Sequence, residues 1–358
     1  MPETAKRYEE AELPAEWDVL NGRYRRLREL GRGGMGAVDL ALDEQTGREV
    51  VVKRILPEFL KDKKIATRFE REIKALVESG DGDVLWRTFI MRVYDIAAMP
   101  DGGKALVMEY IKDPDLFTQL NRERIPSDRF SASVALQVCL ALEAAHERGV
   151  IHRDIKTENI FLHHGEHPER GDVRVRVGDF GIAQLGTVDA FSKTPPHGTA
   201  RDVARAGGRA EERLTDFAYV LGTTAYIAPE SVAERKFDRR SDLYSLGVVM
   251  YRMIAGQFPF RSKDKRAILD MHRDALPMPP HEVRADKKTS PLEPIVMKLL
   301  EKDPKKRYQT ALEAAQAIKE AMVTMDQSLR NEEPYCWVDD RKKASQRAAE
   351  TTERRAVA

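Results

Sequence analysis

The chain contains a short run of side chains suited to moving a phosphoryl group. Residues 152–159 read His-Arg-Asp-Ile-Lys-Thr-Glu-Asn, and Asp179-Phe180-Gly181 follows soon after. Asp154 could accept a proton, and Lys156 is a nearby cation. Asn159 and Asp179 offer oxygen ligands for a metal ion. Transfer of the γ-phosphoryl group of ATP to a hydroxyl needs these parts, because it depends on positioning and on neutralising charge.

A glycine-rich segment lies earlier in the chain. Residues 31–38 fit the pattern G-x-G-x-x-G-x-V, and glycines let backbone amides approach a phosphate closely. The strands expected on both sides argue against a dinucleotide-binding fold, in which a helix follows the loop. Lys53 stands on the next apolar strand, at a spacing that favours phosphate binding. This segment predicts the cofactor-binding residues Gly31, Arg32, Gly33, Gly34, Met35, Gly36, Val38 and Lys53.

Composition is typical of a globular protein with a sizeable core. The 358 residues are 42% hydrophobic and 33% charged, with a net charge of +1 that gives no reason to expect nucleic acid as a partner. Two cysteines, Cys139 and Cys336, are expected to be free thiols in a reducing cytoplasm. No stretch is apolar enough for a membrane span and the start lacks a signal peptide, so a cytoplasmic chain is expected. An anchor beyond Ala358 in a longer parent is left open.

Hydrophobic patterning divides the chain into a strand-rich part and a helical part. Strands are predicted at Tyr24–Leu30, Ala37–Leu42, Glu49–Ile55, Ile90–Ala97 and Ala105–Glu109. Helices are predicted at Lys64–Ser79, Ser133–Arg148, Ser241–Ala255, Pro291–Leu300 and Ala311–Met325. The alternation within Ser133–Arg148 would also suit a strand, but its length and alanine content favour a buried helix. Thr187–Arg213, without periodicity, predicts a mobile surface loop.

Together these motifs resemble the eukaryotic-like (Hanks-type) protein kinases, specifically their bacterial Ser/Thr branch. The resemblance covers residues 24–322 and includes the Gly-Gly-Met-Gly form of the loop. It implies an α+β, bilobal protein kinase fold with a small β-rich N-lobe and a larger helical C-lobe. The implied boundaries are a polar segment 1–22, an N-lobe 23–110, a C-lobe 111–325 with an extended activation segment 179–230, and a charged tail 326–358.

The same resemblance implies that the chain transfers the γ-phosphoryl group of ATP to Ser or Thr of proteins, with Mg²⁺ or Mn²⁺. Autophosphorylation is expected, and a homodimer would allow it in trans. Asp154 would orient the substrate hydroxyl and accept its proton, and Lys156 would contact the γ-phosphate. Asn159 and Asp179 would bind the metal.

Further roles follow for the nucleotide. Lys53 would hold the α- and β-phosphates while paired with a helix glutamate, for which Glu72 fits the family pattern and Glu70 is the alternative. Adenine would lie against Val51, where the family often has Ala, and would bind the backbone of a hinge formed by Met108, Glu109 and Ile111. The ribose contact is open between Asp113 and Asp115.

The resemblance also assigns regulatory and structural roles. Arg153 would pair with a phosphothreonine in the activation segment. Thr215 is the first phosphosite expected, with Thr194 and Thr199 as alternatives, and Thr223 would dock the substrate. Asp242 would hold the catalytic-loop backbone, and Arg307 would pair with Glu230.

Two other functional classes are weighed against this interpretation. A scaffold without catalysis commonly lacks one of the residues Lys53, Asp154, Asn159 and Asp179, all present here. A small-molecule kinase would not need the docking motifs at 222–226 and 228–230. A metal site at His163, His164 and His167 is less favoured than a solvated hairpin turn.

Overall fold

The computed structural model describes residues 17–33, 36–55, 83–100, 103–122, 125–164, 173–179, 224–233, 237–262 and 264–325. Their contacts form two compact units. The first contains the described residues up to 55 together with Val93–Tyr110, and the second contains 83–92 and those from Ile111 onward. The predicted helix Lys64–Ser79, the loop Thr187–Arg213 and the tail 326–358 lie outside the described residues.

The first unit is built on an antiparallel sheet of six strands in the order β1-β2-β3-β4-β6-β5. The strands are β1 Val19–Leu20, β2 Tyr24–Gly33, β3 Gly36–Asp43, β4 Arg48–Ile55, β5 Val93–Ala98 and β6 Lys104–Glu109. Runs of β-branched residues, such as Val50–Val52, favour these strands because branched side chains pack well on a pleated surface.

One face of this sheet carries an apolar cluster. Side chains alternate between the faces of a strand, so Val50 and Val52 of β4 lie together on one side. They are buried with residues from the start of the unit and from β3, β5 and β6, namely Trp17, Leu20, Tyr24, Ala41, Ala97, Met99, Ala105 and Val107. The hydroxyl of Tyr24 also donates to the carboxylate of Asp95 at 2.8 Å. This packing covers one face of the sheet.

The second unit is mainly helical. Among the described residues its helices are α1 Val84–Phe89, α2 Leu116–Arg122, α3 Asp128–His146, α4 Pro229–Ala233, α5 Arg239–Ala255, α6 Lys265–Asp274, α7 Pro280–Val283, α8 Glu293–Leu299 and α9 Ala311–Met325. The two long central helices, α3 and α5, are buried along most of their length. A two-stranded hairpin, β7 Ile160–His164 with β8 Val173–Val177, completes the unit.

Capping residues explain where the central helices begin. The Oγ of Ser127 accepts from the N–H of Phe130, so α3 starts at Asp128, before the predicted Ser133. At α5, Asp238 accepts from the N–H of Arg240, and Ser241 accepts from the N–H of Asp238. Gly256 ends α5 in the left-handed conformation at φ 72°.

The predicted strand Ile90–Ala97 is only partly right. Residues 84–89 form helix α1, and Ile90 makes a single parallel bridge to Val177 of the second unit. Strand β5 therefore begins at Val93. The predicted α+β fold class is confirmed, because a β-sheet unit is followed along the chain by a helical one.

No helix within the described segments combines the length and the apolar character that crossing a bilayer demands.

Candidate active site

The first unit places the predicted nucleotide residues on one face of its sheet. Cross-strand partners share a face in an antiparallel sheet, and Val38 pairs with Lys53, which pairs with Leu106. Val51 pairs with Met108 two positions along. The side chains of Val38, Val51, Lys53 and Met108 therefore lie on the face opposite the apolar cluster. A lysine surrounded by apolar side chains on this face is suited to a ligand with an anionic end and an apolar ring.

The predicted glycine loop occupies the turn end of β2 and β3. Gly31 pairs with Val38, Arg32 with Ala37, and Gly33 with Gly36. Gly34 and Met35 lie outside the described residues. The pairing sets the loop at the end of the sheet next to Val38, whose partner on the neighbouring strand is Lys53.

The predicted hinge lies where the chain passes from one unit to the next. Met108 and Glu109 end strand β6, and Ile111 is the first residue of this segment in the second unit. Met108 is buried at 7% exposure, consistent with its expected packing role.

The catalytic loop, residues 152–159, is tied together by its own side chains. The Nζ of Lys156 donates to Oδ2 of Asp154 at 2.7 Å. The Nδ2 of Asn159 donates to the backbone oxygen of Asp154 at 2.8 Å and to its Oδ2 at 3.1 Å. The carboxylate of Asp154 is thus oriented from two sides.

The hairpin ladder brings Asp179 beside Asn159. Ile160 pairs with Val177, and the N–H of Gly178 donates to the backbone oxygen of Asn159 at 2.9 Å. Asp179, the next residue, has φ 57° and Arg153 has φ 66°. Such left-handed backbone is costly for residues other than glycine. It clusters at functional sites, where the surrounding structure maintains it.

These two residues fit a divalent cation. The Nδ2 of Asn159 is committed to Asp154, whereas its Oδ1 has no hydrogen-bond partner among the described residues and is not a buried unpaired atom. With the carboxylate of Asp179 it supplies hard oxygen ligands, as Mg²⁺ prefers. The described residues contain no cluster of three or more His, Cys, Asp or Glu side chains able to hold a metal. These two side chains would supply part of the ligand set of such a cation.

A buried carboxylate holds the start of this loop. Asp242 of α5 is 1% exposed and accepts from the N–H of His152 at 2.9 Å and from that of Arg153 at 2.7 Å. The Nε2 of His146 lies 2.7 Å from its Oδ2. Burial acts to raise the pKa of Asp242, but hydrogen bonding and the charge of His146 outweigh it and lower that pKa.

His152 joins the same loop to the residue before Asp179. Its Nε2 lies 3.0 Å from the backbone oxygen of Gly178. Burial lowers the pKa of His152, which favours the neutral ring.

The predicted pair of Glu230 and Arg307 lies in contact. The guanidinium donates from Nη1 and Nη2 to the two carboxylate oxygens at 2.8 and 2.7 Å. Arg307 also donates to three backbone oxygens, those of Arg240, Glu301 and Lys302. This bidentate pair ties α4, which follows the docking segment, to the loop before α9.

Several predicted residues lie outside the described residues, namely Gly34, Met35, Glu72, Thr215 and Thr223. Conversely, the structure brings together three residues to which the sequence analysis assigned no individual role. Thr157 and Tyr226 share a hydrogen bond at 2.8 Å, and Arg252 donates to both. They come from three separate segments, so no local spacing could reveal them.

His163 and Asp113 also meet, at 2.8 Å between Nδ1 and Oδ2. This histidine lies one residue before the end of β7, with its side chain 60% exposed. His167 lies outside the described residues.

The first unit thus carries the glycine loop and the strand lysine, and the second unit carries the Asp-Lys-Asn-Asp set. Comparison with known families agrees, since the protein kinase domain family matches residues 24–322. The chain belongs to the protein kinase family, and the predicted resemblance is confirmed.

Relatives place it among bacterial Ser/Thr kinases. It is 35% identical over 301 residues to the Myxococcus xanthus serine/threonine-protein kinase pkn2, covering 84% of this chain and 32% of that protein. It is 32% identical over 297 residues to Mycobacterium tuberculosis serine/threonine-protein kinase PknB, covering 82% and 42%. The chain thus spans about a third to a half of the length of these relatives.

Solved structures show the same fold. A crystal structure of the Mycobacterium tuberculosis PknI kinase domain aligns with a TM-score of 0.57 at 24% identity, covering 85% of this chain and 97% of that one. Another crystal structure of this domain gives a TM-score of 0.59 at 23% identity, with the same coverage. These similarities establish the protein kinase fold.

Proposed function

We propose that this chain is a Ser/Thr protein kinase that transfers the γ-phosphoryl group of ATP to hydroxyls of proteins. The observation that carries the proposal is the catalytic loop. Asp154 is oriented by Lys156 and Asn159, and the same loop is anchored on the buried Asp242. Membership of the family and the Ser/Thr kinase names of its relatives support it.

In the mechanism, Asp154 receives the acceptor hydroxyl and takes its proton as the oxygen attacks the γ-phosphorus, while the bond from that phosphorus to the β–γ bridging oxygen breaks and ADP leaves. Lys156, 2.7 Å from this carboxylate, adds a positive charge where negative charge develops on the transferred group. Backbone N–H groups of the glycine loop and the side chain of Lys53 hold the phosphates of ATP. Glu72 is proposed to position Lys53.

Asn159 and Asp179 are proposed to bind a divalent cation, Mg²⁺ or Mn²⁺, through their side-chain oxygens. When bound, such an ion offsets negative charge on the phosphates. Adenine is proposed to lie against Val51 and Met108 and to bind the backbone at Glu109 and Ile111, at the end of β6.

Regulation is proposed to involve a phosphothreonine in the segment 179–230. Thr215 is the first site proposed, and Arg153, beside the catalytic Asp154, would pair with the phosphate. A homodimer would allow one copy to phosphorylate the other. The cytoplasmic location stays a prediction from the cysteine content.

The test is phosphorylation by the purified chain with γ-labelled ATP and Mg²⁺, followed by phosphoamino-acid analysis. We expect label on Ser or Thr, lost on chelation of the metal. Asp154→Asn should lower kcat about 10²- to 10⁴-fold, the usual contribution of a positioned base. Asp274→Asn serves as the control, because Asp274 is an exposed residue paired with Arg273.

Equal incorporation by wild type and Asp154→Asn would refute the mechanism. Mass spectrometry of the autophosphorylated chain checks the regulatory site, and full modification elsewhere with none at Thr215 would remove it.

A further inference from the structure

An arginine of unusual setting lies beside the catalytic loop. Arg252 of α5 is held between two aromatic rings, with its guanidinium carbon 4.9 Å from the centroid of Phe117 and 4.8 Å from that of Phe258. Contact with two rings restricts where the guanidinium can lie. Phe117 itself is 38% exposed. The arrangement therefore presents a preoriented cation at the surface of the second unit.

One guanidinium nitrogen of Arg252 connects the catalytic loop, residues 152–159, with the predicted docking motif, residues 222–226. Nη1 donates to Oγ1 of Thr157 at 3.0 Å and to the hydroxyl of Tyr226 at 3.3 Å. Thr157 directly follows Lys156, and Tyr226 belongs to the predicted docking motif 222–226. The hydroxyl of Thr157 contacts Oε2 of its neighbour Glu158 at 2.9 Å.

The remaining donors of Arg252 have no hydrogen-bond partner among the described residues. Within the described part of the chain it makes no ion pair, since no carboxylate oxygen lies within 4.0 Å of it. Its Nε and Nη2 make no hydrogen bond there, and neither is a buried unpaired atom. A guanidinium has five N–H donors in a fixed fork that matches a carboxylate or phosphate. Most of that fork is thus available to an incoming anion.

Substrate would pass close to this fork. Thr157 lies three residues after Asp154, a span of at most about 11 Å for an extended chain. An extended peptide with its acceptor hydroxyl at Asp154 would therefore reach Arg252 with a residue within about five positions of the acceptor.

We propose that Arg252, cradled by Phe117 and Phe258, is a substrate-specificity residue that selects proteins carrying an anionic side chain close to the Ser/Thr acceptor. The anion is a carboxylate of Asp or Glu, or a phosphate already on a neighbouring residue. The inference rests on the proposed kinase function. It deepens that function, since it states which acceptor sites the chain prefers.

The test is a peptide array in which each of the five positions before and after the acceptor is in turn Ala, Glu, phosphoserine or Arg. We expect the wild-type chain to favour Glu or phosphoserine over Ala at one or two positions, mainly through KM. The ratio of kcat/KM for the anionic and the Ala peptide should be about ten- to a hundredfold, as for a charge-assisted hydrogen bond. The Glu and phosphoserine arms distinguish the two sources of the anion.

Variants separate recognition from structure. Arg252→Gln should reduce that ratio to about one, Arg252→Lys should retain part of it because it keeps the charge without the fork, and Arg252→Glu should favour Arg peptides. Arg261→Gln is the matched control, because Arg261 is an exposed arginine of the same unit that contacts Gln257. Circular dichroism confirms that each variant is folded.

Outcomes for the two proposals are distinguishable. If the wild-type chain phosphorylates peptides without an anionic preference, or if Arg252→Gln and Arg252→Glu keep the wild-type preference, the specificity role is wrong and the kinase function stands. If no peptide or protein is phosphorylated by the wild-type chain, the kinase function fails and the specificity role fails with it.

Discussion

A single carboxylate, that of Asp242, fixes the backbone of the catalytic loop. It accepts hydrogen bonds from two consecutive N–H groups, those of His152 and Arg153, and contacts the ring of His146. Two consecutive N–H groups can point at one carboxylate only in a tight backbone bend, which agrees with φ 66° at Arg153. Because Asp154 is the next residue, its position is set by these hydrogen bonds to Asp242.

Replacing this carboxylate with an amide should therefore affect catalysis as well as stability. In Asp242→Asn one of the two carboxylate oxygens becomes an NH₂ group, so one buried N–H loses its acceptor. We expect a loss of about 1–3 kcal/mol in the free energy of unfolding. We also expect kcat to fall about tenfold or more, as Asp154 is displaced. Urea unfolding and peptide phosphorylation assays measure the two effects.

Asp238→Asn is the matched control for this change. Asp238 caps the same helix but does not contact the catalytic loop, and Asn is an equally good capping residue. If both variants lose the same activity, Asp242 has no special role in orienting the loop.

Sequence motifs predicted the candidate site residues that lie close together along the chain. Asp154, Lys156 and Asn159 lie in one loop, so their spacing alone brings them together. Arg252 is different, because it reaches Thr157 from a helix 95 positions later in the chain. Its neighbours are set by tertiary packing, which no local pattern encodes.

At the scale of elements, close packing between α5 and α8 supports the anchor. Gly247 lies one turn beyond Asp242 on α5, and a Cβ added there would lie 2.8 Å from the Cβ of Leu299 and 3.2 Å from Cδ2 of Leu300. Contacts below 3.0 Å do not occur without movement of a neighbour. Glycine thus lets the two helices approach each other.

We accordingly expect Gly247→Ala to destabilise the second unit by about 1–3 kcal/mol through overpacking. Alanine improves helix propensity by about 1 kcal/mol, so the packing term must exceed this gain. Thr324→Ala, at an exposed position of α9, isolates the propensity effect and should be neutral or slightly stabilising. Urea unfolding measures the free energy of unfolding of both variants. A Gly247→Ala variant more stable than the wild type would show that the two helices can separate without cost.

Elements with strong local signals were predicted closely, and those set by tertiary contacts were not. The helix Ala311–Met325 was predicted with its observed bounds, and the hydroxyl of Thr310 accepts from the N–H of Glu313 at its start. In contrast, the chain at Ile90 leaves the sheet to bridge Val177. That contact joins residues far apart in sequence, so the apolar run at Ile90–Ala97 looked like one strand.

At the scale of the whole molecule, overall charge does not explain how stability should depend on pH. The net charge is +1, so general repulsion is weak near neutrality. Individual buried histidines matter more. His272 of α6 lies between Tyr244 and Phe260 with its Nδ1 2.9 Å from the tyrosine hydroxyl, and Nζ of Lys302 contacts its backbone oxygen at 2.7 Å. Burial, then the charge of Lys302, lowers the pKa of His272 to about 3.

This shift predicts acid sensitivity that begins above the pH range in which carboxylates titrate. The unfolded chain binds a proton at His272 with a pKa near 6.5, whereas the folded chain does so only near 3. The stabilising effect is thus complete above pH 6.5 and is lost as pH falls toward 3, by at most about 1.4 kcal/mol per pH unit. Burial also lowers the pKa of His152, which adds in the same direction. Lys302, with a pKa of about 8, stays charged throughout this range and does not alter the slope.

Urea unfolding from about pH 7 to about pH 5 should show this loss of stability. His272→Asn, which keeps a polar atom near Tyr244, should lower stability at every pH but flatten the slope. An unchanged slope in that variant would assign the acid sensitivity to other groups.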